Sequence, residues 1–229
     1  MGSHTKILDF YGLPACGKSS LVSFLLESGF PGMTVADKRL ALQGNRLSVL
    51  FLFIRSLRFR DLRACVRYHY SIPKEKRRKG SSLRQFVKNY GYYRYFDRFS
   101  GYDIVCLDNG IVQSVVSHQG GHDLFDEASY RKSVKELFTL PIDITYVWCD
   151  VDPSVSLKRM HQRGRKKGRI DLMEDEHLQL ASLEKERSVY LHFTDFISEA
   201  GRPVITVNCN QTVEEEAAHL KRQLAELWK

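Results

Sequence analysis

The stretch DFYGLPACGKSSL, residues 9–21, decides how the rest of the chain is read. Within it Gly12-Leu13-Pro14-Ala15-Cys16-Gly17-Lys18-Ser19 spells G-x-x-x-x-G-K-[ST], a pattern in which a glycine-framed turn points its backbone N–H groups at phosphate oxygens. Glycine is needed at both ends because the backbone must turn tightly and leave its amides open. The positive end of the helix that follows adds to the pull on an anion. In such a turn the lysine, here Lys18, reaches the β- and γ-phosphates of a nucleoside triphosphate, and the hydroxyl of Ser19 ligates magnesium. The pattern carries weight only between a strand and a helix. Both are present: KILDFY at 6–11 reads as a strand, and 18–28 as a helix stopped by Gly29-Phe30-Pro31-Gly32. Gly12 to Ser19, with Ser20 beside them, are therefore candidate triphosphate-binding residues.

Outward from this stretch, apolar runs alternate with helical periodicity. Strands are expected at 33–36, 103–107, 142–149 and 203–207, and helices at 111–117, 130–138, 153–163, 174–200 and 213–227. Strands alternating with helices imply βαβ units, a parallel sheet and helices on both of its faces. From 40 to 99 no strand pattern appears; apolar and aromatic residues recur at helical spacing, so this segment reads as a helical insert in a single domain spanning 5–229. The opening Met1-Gly2-Ser3-His4 reads as a cloning remnant outside the fold.

The 229 residues carry a net charge of +8, unevenly spread. Between Arg55 and Arg98 there are fourteen Lys and Arg against three acids, so the remainder is slightly acidic. The longest apolar run, LSVLFLFI at 47–54, falls far short of the roughly 18 residues of a membrane span. Five cysteines form no C-x-x-C pair, and three of them (Cys106, Cys149 and Cys209) lie in or beside apolar strand-like runs. A reducing, cytoplasmic setting is expected.

A guanine-reading N-K-x-D stretch is absent, and the third strand runs into Leu107-Asp108-Asn109 rather than an Asp-Glu pair. Those features argue against a GTPase and a motor ATPase. A phosphoryl transferase needs instead mobile cations over the triphosphate and an acceptor site. Residues 158–169, KRMHQRGRKKGR, hold seven Lys and Arg interrupted by two glycines, which suits a hinged cationic lid at 159–170.

With these parts in place, the chain resembles P-loop kinases of the nucleoside monophosphate kinase and deoxynucleoside kinase superfamily, thymidylate kinases most of all. Four stretches carry the resemblance: GLPACGKSS at 12–20; LDNGIVQSVVSHQGG from Leu107, similar to D-R-[YSH]-x-x-S-x-x-[AY]-Q-G; VDPSVSLKRMHQRGRKKGR from Val151, similar to the lid; and VITVNCNQTVEEEAAHL from Val204, similar to the last strand, loop and helix. The resemblance implies a three-layer α/β P-loop NTPase fold with a five-stranded parallel sheet ordered 2-3-1-4-5, and it implies Mg·ATP as phosphoryl donor. It implies that Asp108 organises magnesium or moves a proton, that Arg159 lies against the adenine, and that Arg163 reaches the transferring phosphoryl with Arg165 or Arg169 assisting. The loop containing Asn210 would face the adenine. Asp37 matches the acidic position that engages the acceptor hydroxyl and is the candidate base; the residues alone equally allow a helix N-cap there.

One departure stands out. Where the family places an arginine for the acceptor's phosphate, this chain has Asn109. Either Arg39, Arg94 or Arg98 supplies that charge, or the acceptor is not a nucleoside monophosphate. Gln113, Ser114 and Gln119 could line an acceptor pocket or form an exposed face. Between 68 and 99 aromatics interleave with cations. They admit three readings: a helical cover with Phe86, Tyr90, Tyr93 and Phe96 on one buried face, a site for a small anionic acceptor, or a groove for single-stranded nucleic acid. The expectation is γ-phosphoryl transfer to a small acceptor, a nucleoside or nucleotide first. A sugar, antibiotic or similar metabolite, or a nucleic-acid 5′-end, are the alternatives. A homodimer is compatible with the sequence.

Overall fold

Strand β1 (Lys6–Gly12) and strand β4 (Ile144–Asp150) are buried along almost their whole length, as strands covered on both faces must be. A computed structural model describes residues 5–42, 55, 58–72, 81–99, 101–119, 128–139, 141–163 and 170–229. The hydrophobic run at 47–54, the cationic run at 74–79 and the lid positions 164–169 lie outside them. In chain order the elements are β1, α1 (Lys18–Ser28), β2 (Val35–Asp37), α2 (Lys38–Ala41), α3 (Phe59–Ser71), α4 (Ser81–Phe99), β3 (Ile104–Leu107), α5 (Ile111–Gln119), α6 (Ala128–Phe138), β4, α7 (Pro153–Gln162), α8 (Glu176–Glu199), β5 (Val204–Asn208) and α9 (Val213–Leu227).

The five strands are all parallel and ordered β2-β3-β1-β4-β5, flanked by helices: the expected P-loop α/β fold. Burial follows the order. Strand β3 is buried at every position, whereas edge strand β5 alternates buried and exposed positions. The register puts Asp9 beside Leu107, Asp37 beside Cys106 and Gly12 beside Cys149. The carboxyl ends of β1, β2, β3 and β4 therefore gather at one edge. The chain leaves β1 through α1 toward β2 and β3 on one side and returns to β4 on the other. A crevice opens at such a reversal of strand order, where α/β sheets bind ligands.

Local chemistry fixes the helix ends near this edge. Gly17 precedes α1 in a left-handed conformation, and the N–H of Gly29 closes its far end on the carbonyl of Leu25. Asp152 caps α7 by accepting from the N–H of Ser154, with Pro153 at the first helical position. Thr212 and Glu215 form a reciprocal capping box that starts α9.

The helical insert is built around a core face. Phe86, Tyr90, Tyr93 and Phe96 of α4 are all fully buried, together with Tyr68 of α3. A bidentate ion pair joins the two helices: Arg94 Nε and Nη2 reach Asp61 Oδ2 and Oδ1 at 2.8 and 2.9 Å, with both side chains buried. Among the described residues, no helix is long and apolar enough to cross a membrane. All five cysteines are free thiols.

Candidate active site

The turn between β1 and α1 has the strained backbone its sequence demands. Gly12 sits at φ 151°, Ala15 at φ 56° and Gly17 at φ 108°, so three residues of the turn adopt positive φ, two of them glycines. A Cβ at Gly12 would fall 2.5 Å from the carbonyl oxygen of Cys149, so the first glycine is needed for close approach to β4 as well as for its conformation. Lys18 follows at the first turn of α1. Its ammonium donates to the carbonyls of Gly12 and Leu13, both at 2.9 Å, and lies 3.2 Å from Cys16 Sγ. The cation is thus held directly against the loop.

Around this loop is a cavity of about 670 Å3, within the range of small-molecule sites. Pro14 to Ser20 form one wall, Asp108, Asn109 and Gln113 a second, and Arg159, Gln162, Arg163, Gln211, Val213 and Glu216 the remainder. The structure therefore brings Lys18, Ser19, Asp108, Arg159 and Arg163 to one space from three separate parts of the chain. Ser19 Oγ donates to Asp108 Oδ2 at 3.3 Å. A hydroxyl and a carboxylate oxygen meeting at the cavity wall are hard donors of the kind magnesium takes. Arg159 ties α7 to the loops beneath it: its Nη1 donates to the carbonyls of Cys209 at 2.8 Å and Cys16 at 3.3 Å. Ser156, one turn earlier, donates to the carbonyl of Pro14 at 2.5 Å. Gln113 Oε1 accepts from the N–H of Gly12 at 3.4 Å. Arg163 ends α7, exposed, on the cavity rim.

Other sequence-predicted residues are placed differently. Arg94, a candidate for holding the acceptor, is buried and spends its fork on Asp61, so it is a structural cation between α3 and α4 and lines no cavity wall described here. Its burial needs a carboxylate partner, because an unpaired guanidinium there would be prohibitively costly. Asp37 caps α2, its Oδ1 accepting from the N–H of Leu40 at 2.8 Å. Arg39 and Arg98 are exposed and line neither this cavity nor the crevice beside Asn109. Asn210 accepts from the N–H of Asp152 and holds Asn208, while its neighbour Gln211 faces the cavity. Arg165 and Arg169 lie outside the described residues, as does the side chain of Gln119.

Three features escaped the sequence reading. Asp9 is fully buried in β1; its Oδ2 accepts from the Tyr93 hydroxyl at 2.7 Å, and that hydroxyl accepts from the N–H of Ile111 at 2.8 Å. Burial pushes the Asp9 carboxyl up to about 7 despite the Tyr93 hydrogen bond. Gly110 makes room for it: a Cβ there would lie 1.9 Å from Asp9 Oδ1. The insert helix, β1 and the start of α5 are thereby locked together directly behind the strand tip. Secondly, Cys16, Cys149 and Cys209 are three buried free thiols of neighbouring elements beneath the loop. Burial raises the Cys16 thiol, but the neighbouring Cys149 and the Lys18 charge outweigh it and the net shift is downward. Thirdly, Glu216 is buried in the cavity wall, and burial pushes its carboxyl up to about 7 against the pull of Arg159. A polar residue within an otherwise apolar strand was the signal available for Asp9; no local signal marked Glu216.

Fold and loop together define the class: a P-loop α/β protein with its phosphate loop, strand-tip acid and cationic helix converging on one cavity. No family model matches the chain. It is similar to a thymidylate kinase of Leptospira borgpetersenii serovar Hardjo-bovis (strain L550), at 35% identity over 86 residues. That match takes in 38% of this chain and spans 37% of the relative's length. Among solved structures it is similar to deoxyadenosine kinase from M. mycoides with the products dCMP and a flexible dCDP bound, at TM-score 0.51 and 11% identity, over 96% of this chain and 99% of that one. A further structure of that kinase, with bound dATP, superposes at TM-score 0.48 and 11% identity, over 96% and 99% of the two chains. The first of these shows a shared fold.

Proposed function

We propose that this chain is a kinase that moves the γ-phosphoryl of ATP to a small acceptor, a nucleoside or nucleotide. The observation that carries the reading is the convergence of Lys18, Ser19, Asp108, Arg159 and Arg163 on one cavity of about 670 Å3 at the strand-order reversal. Phosphoryl transfer asks the protein for positioning and electrostatic stabilisation more than for covalent chemistry. The loop amides and Lys18 would bind the β- and γ-phosphates, Arg159 would position the nucleotide against the loop after β5, and Arg163 would neutralise the phosphoryl in flight. Ser19 and Asp108 would hold magnesium, which neutralises charge between the β- and γ-phosphates. Asp37, turned toward α2 as a cap, would have to release Leu40 to act as the base. The partial likeness to a thymidylate kinase and the fold shared with a deoxyadenosine kinase support a nucleoside or nucleotide as acceptor.

The full burial of Tyr68, Phe86, Tyr90, Tyr93 and Phe96 weighs against a nucleic-acid groove, since bases cannot stack on rings inside a core. The test is transfer of label from γ-labelled ATP to a panel of deoxynucleosides, deoxynucleoside monophosphates, sugars and oligonucleotide 5′-ends. Label on a nucleoside or its monophosphate is expected. Label on sugars or oligonucleotides alone, or release to water alone, would overturn the reading.

A further inference from the structure

Helix α3 is apolar on two opposite sides. Asp61, Ala64, Cys65 and Tyr68 form its buried side, and the helix packs on α4 and α6. Away from them stand Phe59, Leu62, Val66 and Tyr70, all exposed, Phe59 at 81% and Tyr70 at 67%. At about 100° per residue these four fall within roughly 80° of the helix circumference, nearly opposite the buried side. Arg60, Arg63 and Arg67 border this stripe along one side and Arg58 stands at its head, all of them exposed. Arg67 also donates to both carboxylate oxygens of Glu136 on α6, at 2.7 and 3.0 Å. The acid within α3, Asp61, is buried and paired with Arg94, so the outward face of the helix presents cations and apolar groups and no acid.

A line of apolar side chains on the outside of a helix marks an interaction surface, and its border of arginines selects the partner. A second copy of this chain would set the same cations against each other, with no acid on the face to offset them. Single-stranded nucleic acid would use the arginines and the rings of Phe59 and Tyr70, but it offers the aliphatic Leu62 and Val66 nothing to be buried in. An anionic lipid surface suits all three kinds of group. Apolar side chains enter the acyl boundary by about 5–10 Å, arginines reach headgroup phosphates along their alkyl stems, and a tyrosine sits at the headgroup level. The wider charge agrees: fourteen Lys and Arg stand against three acids between Arg55 and Arg98, and basic clusters at an amphipathic helix are drawn to anionic lipid. We propose that the outward face of α3 lies on an anionic phospholipid bilayer, with Phe59, Leu62, Val66 and Tyr70 inserted at the headgroup boundary. The association is peripheral, since no described helix is long and apolar enough to span. None of these side chains lines the nucleotide cavity, so the proposal stands without the kinase reading.

The test is sedimentation of the full chain with sucrose-loaded vesicles of phosphatidylcholine alone or mixed with phosphatidylglycerol, at about 0.1 M salt. Mixed vesicles should bind the chain about tenfold or more tightly than phosphatidylcholine alone. Phe59→Ser combined with Leu62→Ser should weaken binding to mixed vesicles by about tenfold or more. Arg58→Gln combined with Arg63→Gln should do the same, because each cation near such a surface is worth about fivefold. Arg222→Gln, exposed on α9, should leave binding unchanged. Melting temperatures identify a pair that fails to fold; Phe59→Gln or Arg63→Gln alone then takes its place, with a loss of about fivefold expected. No sedimentation with mixed vesicles at millimolar lipid, or equal binding to both kinds of vesicle, overturns the proposal. So does binding that survives the serine pair, which is adsorption by net charge alone, and binding that survives the glutamine pair. Dimerisation or oligonucleotide binding that is lost in the serine pair, with no vesicle binding in wild type, assigns the face to a second copy or to nucleic acid and overturns it as well.

Discussion

Replacing Asp9 by Asn tests the buried carboxyl at the heart of the sheet. Asp9 is fully buried, and burial moves its carboxyl from 3.8 to about 7 against the opposing Tyr93 hydrogen bond. The unfolded chain releases this proton near its ordinary value, whereas the folded chain keeps it until near neutrality. Between the two values the folded state binds the extra proton, so its stability falls as pH rises from about 4 to about 7 and levels off above. At roughly 1.4 kcal/mol for each pH unit, the full fall is about 4 kcal/mol. Asn is the neutral isostere and has no such dependence. Glu216, pushed up to about 7 by burial as well, acts in the same direction in both proteins and cancels in their difference. The measurement is urea unfolding of wild type and Asp9→Asn at several pH values, compared pairwise. Relative to wild type, the variant should gain about 4 kcal/mol between pH 4 and 7.5, or roughly half that if the carboxyl relaxes toward water. A difference that stays constant within about 1 kcal/mol, the error of such extrapolations, refutes the reasoning.

Gly12→Ala should lower unfolding stability by about 1–3 kcal/mol and abolish ATP binding, because its Cβ would meet the carbonyl of Cys149 at 2.5 Å in a backbone conformation suited to glycine; calorimetric ATP titration beside urea unfolding checks both. Arg94→Met strands the buried Asp61 and should cost about 3–5 kcal/mol; a loss below about 1 kcal/mol in urea unfolding would contradict the buried pair. Asp37→Asn separates two roles: Asn keeps the oxygen that accepts from the N–H of Leu40, so a cap alone leaves melting temperature and turnover near wild type, whereas a base lowers turnover by about a hundredfold or more.

How much of this was legible beforehand depended on how local each feature was. β1 and β4 were visible as mostly apolar runs because strands buried on both faces are built chiefly from apolar side chains, and the helix read at 213–227 has the bounds of α9. β2 was expected two residues early. It is a short edge strand held by a distant contact, Thr34 donating through its N–H and hydroxyl to Asp103, both at 2.8 Å, which no local pattern shows. At the site, Lys18 and Ser19 were legible because one contiguous pattern carries both. Asp108 was singled out only through the resemblance, and the structure places it just past β3 on the cavity wall. Arg94 was misjudged because its partner Asp61 sits on another helix, and a single sequence does not say which cations are buried. The outward stripe of α3 was not legible either, because a single sequence does not say which apolar side of a helix is covered.

The account's central claim is that the loop at Gly12–Ser19 grips a triphosphate so that its end group can be handed to a second molecule. The most direct measurement is γ-phosphoryl transfer from labelled ATP, by wild type and Lys18→Met side by side, to whichever acceptor the panel identifies. Wild type should label the acceptor, and Lys18→Met should lose about three orders of magnitude or more of that rate at unchanged melting temperature. Transfer by Lys18→Met at the wild-type rate would contradict the claim.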